Sequence, residues 1–306
     1  MSNSELNVVT GGLSYIGKFI TQRLVSQGKQ VLILTNHLQR DNPFGNQVMV
    51  APYDFDRHDT LVGRLKGAST LYNTYWVRFD HGIVSFEKAI ANTERLIKAA
   101  EVAGIKKFVH ISVSNPSQDA SFPYYRGKAV LEKLIAQSRL SYAIIRPTLV
   151  YGGEQEILVN NIAWLLRRFP IFAVPSDKAY RLQPIHVDEV VGLAIHAADS
   201  LHNQTVDAAG PDIMTFEEMV RLIAQKIGSW SMLFHASPEL SLVLLKIVDL
   251  LVNDIVLTRD EIGALGEERL VSKQPPIGKM RLAQWLDQNA NQLGRRYASE
   301  MVRHFR

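Results

Sequence analysis

Thr10-Gly11-Gly12-Leu13-Ser14-Tyr15-Ile16-Gly17 joins a short apolar run, Asn7 to Thr10, to a stretch in which Ile16, Ile20 and Leu24 recur at helical spacing. Gly28 then supplies a helix stop. Strand, glycine turn and amphipathic helix in this order open a βαβ unit. Gly11 permits the tight turn and Gly17 lets helix and strand approach closely. The backbone N–H groups at the helix start, around Ser14, Tyr15 and Ile16, then face a pyrophosphate, aided by the positive end of the helix dipole. The spacing is G-x-x-S-x-x-G, so Ser14 stands where a middle glycine is usual. Its hydroxyl can donate a hydrogen bond, while its Cβ tightens the fit.

The same alternation continues outward. Gln30 to Leu34, Gln47 to Ala51, Thr70 to Thr74, Phe108 to Ile111 and Ser141 to Ile145 read as further strands, the last stopped by Pro147. Phe86, Ala89, Ile90, Leu96, Ile97 and Ala100 form one helical stripe closed by Gly104, and Leu131, Leu134 and Ile135 mark the next helix. Short apolar strands alternating with helices predict an α/β fold: a doubly wound parallel sheet of Rossmann type. Residues 1–150 are expected to form this domain. Residues 151–306 are expected to form a smaller, mostly helical lobe, partly interleaved with it, with helices over 157–170, 187–198 and 216–227, the last capped by Thr215 and stopped by Gly228.

Composition narrows the function classes. At 306 residues, 46% hydrophobic and 21% charged, the chain is an ordinary globular protein. It has no cysteine, which excludes disulfides, thiolate metal sites and a Cys nucleophile. With a polar N-terminus lacking a signal-peptide layout, this predicts a cytoplasmic location. The net charge of +4 is spread along the chain. Its densest cluster, Arg295, Arg296, Arg303 and Arg306, reads as a solvated helix face, so no nucleic-acid partner is expected. The nine histidines lack metal-ligand spacing, and no metal is expected. Residues 240–252 are nearly all apolar but interrupted by Lys246 and Asp249. The run is shorter than the ~20 residues of a bilayer span, so it predicts a buried or partner-facing helix, not an integral membrane segment.

Two further groups carry chemistry. After the second strand come Thr35, Asn36 and His37, then Arg40; no carboxylate is placed there for ribose hydroxyls, and Arg40 could reach a 2′-phosphate, a lean towards NADP over NAD. Asp54 and Phe55 are candidates for holding an adenine. Tyr124 and Lys128 lie four residues apart in a helix opened by Pro123, hence on one face. An ammonium near a phenol lowers its pKa from ~10 and suits the pair to acid/base work at a carbonyl or carbinol beside a hydride-transferring nicotinamide.

Five segments in order resemble the short-chain dehydrogenase/reductase superfamily, in its extended and atypical epimerase/dehydratase-like branch. They are TGGLSYIG from Thr10, NTERLIKAAEVAGIKKFVHIS from Asn92, YYRGKAVLE from Tyr124, IRPTLVYG from Ile145 to Gly152 and IHVDEVVGLAIHAA from Ile185. The resemblance runs from Thr10 to about Asp199. It implies Tyr124 as acid/base, Lys128 as its partner and ribose ligand, Ser112 or Ser114 as the substrate-orienting hydroxyl, and the segment with Pro147 lining the nicotinamide side. The implied function is an NAD(P)-dependent oxidoreductase, epimerase or dehydratase acting on a small-molecule carbonyl or carbinol substrate. Val113, directly after the HIS segment, and Ser14 depart from the family pattern. They keep a second reading open: a non-catalytic NAD(P)-binding regulator or assembly factor, with a homo-oligomer or a partner at the 240–252 helix. Asn160, Asn161, Arg181 and Gln183 are polar residues expected near a cleft, with either structural or substrate-binding roles.

Overall fold

The computed structural model describes residues 5–153, 156–175, 180–200, 202–237, 246, 249, 252–254, 263 and 267–301. They divide into two units: Met1–Pro147 with Asp188–Asp207, and Thr148–Val187 with Ala208–Arg306. The apolar run 240–252, apart from Lys246, Asp249 and Val252, lies outside the described residues, as do Arg303 and Arg306.

The first unit is built on β1 (Leu6–Thr10), α1 (Tyr15–Ser26), β2 (Gln30–Leu34), β3 (Met49–Ala51), α2 (His58–Leu65), β4 (Ala68–Asn73), α3 (Phe86–Ala103), β5 (Lys107–Ile111), α4 (Pro123–Gln137) and β6 (Tyr142–Pro147). After an excursion into the second unit, the chain returns through α6 (Val187–Ala198) and β11 (Gln204–Ala208). The seven strands form one sheet in the order β11-β6-β5-β4-β1-β2-β3. Pairings from β3 through β6 are parallel. Strand order reverses between β1 and β4, which makes their carboxyl ends the switch point where such sheets bind ligands. The doubly wound sheet expected from the alternation is the one observed.

Central strands are buried on both faces, as parallel strands must be: every residue of β4 and β5 is buried. Val8, Leu34, Leu71, Phe108 and Ile144 form a core with Leu61 and Leu65 of α2 and Leu96 of α3. Helix ends follow local chemistry. Ser85 caps α3 by accepting from the Lys88 N–H, and Gly104 closes it in a left-handed conformation. The third strand begins at Met49, later than its apolar run suggests, because Gly45–Gln47 winds a 3-10 turn. The fourth stops at Asn73, because the Thr74 N–H is diverted to the Thr10 hydroxyl at 2.9 Å.

Among the described residues, the second unit holds three two-stranded sheets: β7 (Leu149–Tyr151) with β10 (Pro184–His186), β9 (Arg181–Leu182) with β12 (Met214–Thr215), and β8 (Ile171–Pro175) with β13 (Met232–Ala236). Around them lie α5 (Leu158–Arg168), α7 (Phe216–Ile227) and α8 (Leu282–Asn289). A capping box between Thr215 and Glu218 starts α7 and Gly228 ends it. Tyr151, Val159, Leu166, Met219, Ile223 and Trp285 share one core. Among the described residues, no helix is long and apolar enough to cross a membrane.

Candidate functional site

At the end of β1, Gly11 adopts a positive φ of 65°. The turn is closed by the Ser14 N–H donating to the Gly11 carbonyl at 2.8 Å. A Cβ on Gly17 would run into that same carbonyl, and one on Gly12 would meet Ile33 and Thr21 at 2.8 Å. The glycines are therefore dictated by space as well as by backbone conformation. Ser14 is the N-cap of α1, yet its side chain makes no capping bond, and the first turn carries no acidic residue. The positive end of this helix is thus left without a local counter-charge. From the loop after β2, the Arg40 guanidinium donates to the Ser14 hydroxyl at 3.3 Å, which ties the two expected phosphate-facing residues together. Thr35 is buried and its hydroxyl accepts from the His37 N–H at 3.1 Å; Asn36 is exposed.

A polar row crosses the sheet at the switch point. The Thr10 hydroxyl donates to Asn73 Oδ1 at 2.8 Å, and Asn73 Nδ2 lies 3.0 Å from His110 Nδ1, residues in register on β1, β4 and β5. An Asn amide donating to Nδ1 fixes the neutral tautomer that carries its proton on Nε2. Burial and the neighbouring Lys128 charge hold His110 well below the usual histidine range. Beyond this row, Tyr53 stacks on Phe55 with centroids 4.7 Å apart, and Tyr75 packs against both. Asp54 and Phe55, expected to face an adenine, are taken up internally. Asp54 sits at φ 51°, its carboxylate held by Arg57 and Arg64, which keep it below the ordinary carboxylate range, and Phe55 is buried in the aromatic stack.

Helix α4 brings the proposed acid/base pair to the same unit. Tyr124 lies edge-on to Trp76 and Phe86, at 5.9 and 6.2 Å between centroids. Lys128 is 3% exposed. Its ammonium donates to the Ile111 carbonyl at 2.8 Å and lies 4.8 Å from the centre of the Trp76 ring. Burial pulls its pKa down to about 7, opposed in part by the Glu132 charge. One turn further on, Glu132 accepts from the Ser112 hydroxyl at 2.5 Å and from Arg146 Nε at 3.0 Å. The Ser112 hydroxyl, the first candidate for orienting a substrate, is therefore bound inward to a carboxylate that is itself paired. Ser114 is fully buried at the start of the next loop, its N–H bonded to the Pro147 carbonyl at 2.9 Å.

In the second unit, the four polar residues expected near a cleft hold loops in place. Asn160 and Asn161 each exchange bonds with the chain around Gly294 to Ala298. Arg181 makes a two-bond pair with Glu268, and Gln183 links the Gly210 carbonyl to the Ser272 N–H. Sequence reading missed Trp76, Glu132 and Asn73. Glu132 had a signal: it continues the four-residue spacing of Tyr124 and Lys128 on one helix face.

Residues 11–160 match the family model described as NAD(P)H-binding. The match takes in both the Gly11–Gly17 turn and the helix that carries Tyr124 and Lys128. A relative of this chain is the mitochondrial NADH dehydrogenase (ubiquinone) 1 alpha subcomplex subunit 9 of Arabidopsis thaliana, 24% identical over 285 residues, covering 86% of this chain and 70% of that protein. The Rattus norvegicus protein of the same name is 27% identical over 192 residues, 60% of this chain. The match spans only half of the rat protein's length. Among solved structures, the fold resembles UDP-N-acetylglucosamine 4-epimerase from Bacillus cereus, with a TM-score of 0.69 and 15% identity over 93% of this chain and 95% of that one. UDP-glucose 4-epimerase from Brucella ovis in complex with NAD gives a TM-score of 0.65 at 15% identity, over 76% of this chain and 86% of that one.

Proposed function

We propose that this protein holds NAD(P)H as a resident nucleotide within a larger protein assembly and does not turn it over on a carbonyl substrate. The observation that carries this reading is the inward commitment of the two candidate catalytic donors. Ser112 gives its hydroxyl proton to Glu132, and Lys128 gives an ammonium proton to the Ile111 carbonyl. A buried hydroxyl held by a carboxylate is costly to withdraw for a passing substrate. The cofactor end, by contrast, is ready-made: the backbone of Gly11, Ser14, Tyr15, Ile16 and Gly17 would cradle the diphosphate, at a helix start with no capping side chain. Arg40 with Ser14 would take the 2′-phosphate, which favours NADPH, and Thr35 and Asn36, which follow β2, would face the adenosine ribose. The relatives, named as subunits of a mitochondrial NADH dehydrogenase (ubiquinone), support the assembly role.

A second reading, turnover through Tyr124 and Lys128, is favoured by one observation. A lysine titrating at about 7 four residues from a tyrosine suits a proton relay. Following absorbance of bound NADPH with a panel of aldehydes, ketones and nucleotide sugars separates the two. The resident-nucleotide reading expects binding with no consumption of cofactor. Substrate-dependent oxidation that disappears in Tyr124→Phe would overturn it in favour of the enzyme.

A further inference from the structure

We propose that Trp76 is a gate over Lys128, so that the closed site recognises the adenosine diphosphate half of a dinucleotide and holds off the nicotinamide riboside half. This deepens the resident-nucleotide reading and rests on it. The indole lies against α4 where Gly127 leaves room: a Cβ there would meet Trp76 Cη2 at 2.6 Å. From that position it covers the ammonium one residue on, at 4.8 Å, an arrangement favoured by the attraction of a cation for an aromatic face. One of its N–H groups is taken by the Ile111 carbonyl, and the side chain is left almost wholly buried. Ribose hydroxyls cannot reach an ammonium enclosed in this way.

What holds the gate is ring packing. Phe86 lies 5.7 Å and Tyr124 5.9 Å from the indole centre. The backbone leading into it is pinned, because the Tyr75 N–H donates to the Thr10 hydroxyl at 3.1 Å and the Tyr75 hydroxyl accepts from Asn92 at 3.0 Å. The indole N–H is itself buried without a hydrogen-bond partner. An unmet donor disfavours the closed position, so rotation of the ring about its own side-chain bonds, with the loop fixed, would satisfy the N–H and uncover Lys128 together. Tyr75 meets the Gly11–Gly17 turn through the Thr10 hydroxyl and through Tyr53, whose hydroxyl bonds the Gly11 backbone, while the gate itself moves only the Trp76 side chain, so the diphosphate cradle keeps its shape when the gate opens.

The test is calorimetric titration of the intact protein with NADPH, NADH, ADP-ribose and 2′-phospho-ADP-ribose. The gate predicts that each truncated nucleotide binds within twofold of its full dinucleotide. It also predicts that Trp76→Ala makes the full dinucleotide at least tenfold tighter than its truncated form, a gain lost again in Trp76→Ala/Lys128→Met. Wild-type protein binding the full dinucleotide tenfold or more tighter than the truncated form overturns the gate while leaving the proposed function standing. Absence of binding by all four ligands overturns both. Amine labelling of Lys128 at pH 8, read by peptide mass spectrometry, gives an answer independent of ligand. Protection in the wild type with labelling in Trp76→Ala supports the gate, and equal labelling in the two refutes it.

Discussion

Replacing Lys128 by methionine exchanges a buried ammonium for a side chain of similar length without charge. Folded, Lys128 titrates at about 7; its ordinary value, kept in the unfolded chain, is 10.5. Between these two values the unfolded state binds more protons, so the lysine's contribution to stability rises with pH. Below pH 7 the folded protein carries the full cost of an ionised, nearly solvent-free ammonium; as pH rises through 7 that cost is progressively relieved. From pH 7 to pH 9 the relief amounts to ~2 kcal/mol, at ~1.4 kcal/mol per pKa unit. The window avoids His110, which would respond below its usual range, and the buried Tyr53 and Tyr75, whose raised values act only above it. The assay is urea denaturation of wild type and Lys128→Met at pH 7, 8 and 9. The stability of wild type relative to the variant should climb by ~2 kcal/mol across the series. A constant difference would mean that Lys128 ionises as if exposed, and the enclosure by Trp76 and Ile111 would be wrong.

Three other perturbations follow from the same geometry. Gly17→Ala places a methyl against the Gly11 carbonyl, so it should cost ~1–3 kcal/mol in urea denaturation and remove nucleotide binding in the same preparation. Arg40→Ala removes the guanidinium beside Ser14 and should weaken NADPH about tenfold or more while leaving NADH within about twofold, as read by titration calorimetry. Glu132→Ala strips the acceptor from Ser112 and Arg146; Arg146 is about a third exposed, so the loss should be ~2 kcal/mol, below the 3–5 kcal/mol of a fully buried pair.

The sheet was legible because its evidence is local. Apolar runs bounded by Gly11, Gly28, Gly104 and Pro147 specify strands and helices within a few residues of themselves. The second unit was read less well: strands such as Arg181–Leu182 and Met214–Thr215 have two residues each, too few to carry a period. α2 was also missed, since Leu61 and Leu65 are its only buried residues. At the site, the phosphate turn follows from glycine spacing, but what each donor does there depends on partners far away in sequence. Ser112 and Glu132 are 20 residues apart, Arg40 and Ser14 are 26 apart, and Trp76 reaches Lys128 across the strand and helix between them. Asp54 has the residue type expected of a ligand contact, yet Arg57 and Arg64 claim its carboxylate once α2 folds beside it. A one-dimensional motif names such groups without showing which of them the fold has already used.

The most direct test of the account is a titration of the purified wild-type chain with NADPH and with NADH, followed by nicotinamide fluorescence. Saturable binding at one site per chain, tighter for NADPH, is the predicted result. Failure of both nucleotides to bind would contradict the assignment of the Gly11–Gly17 turn as a dinucleotide cradle.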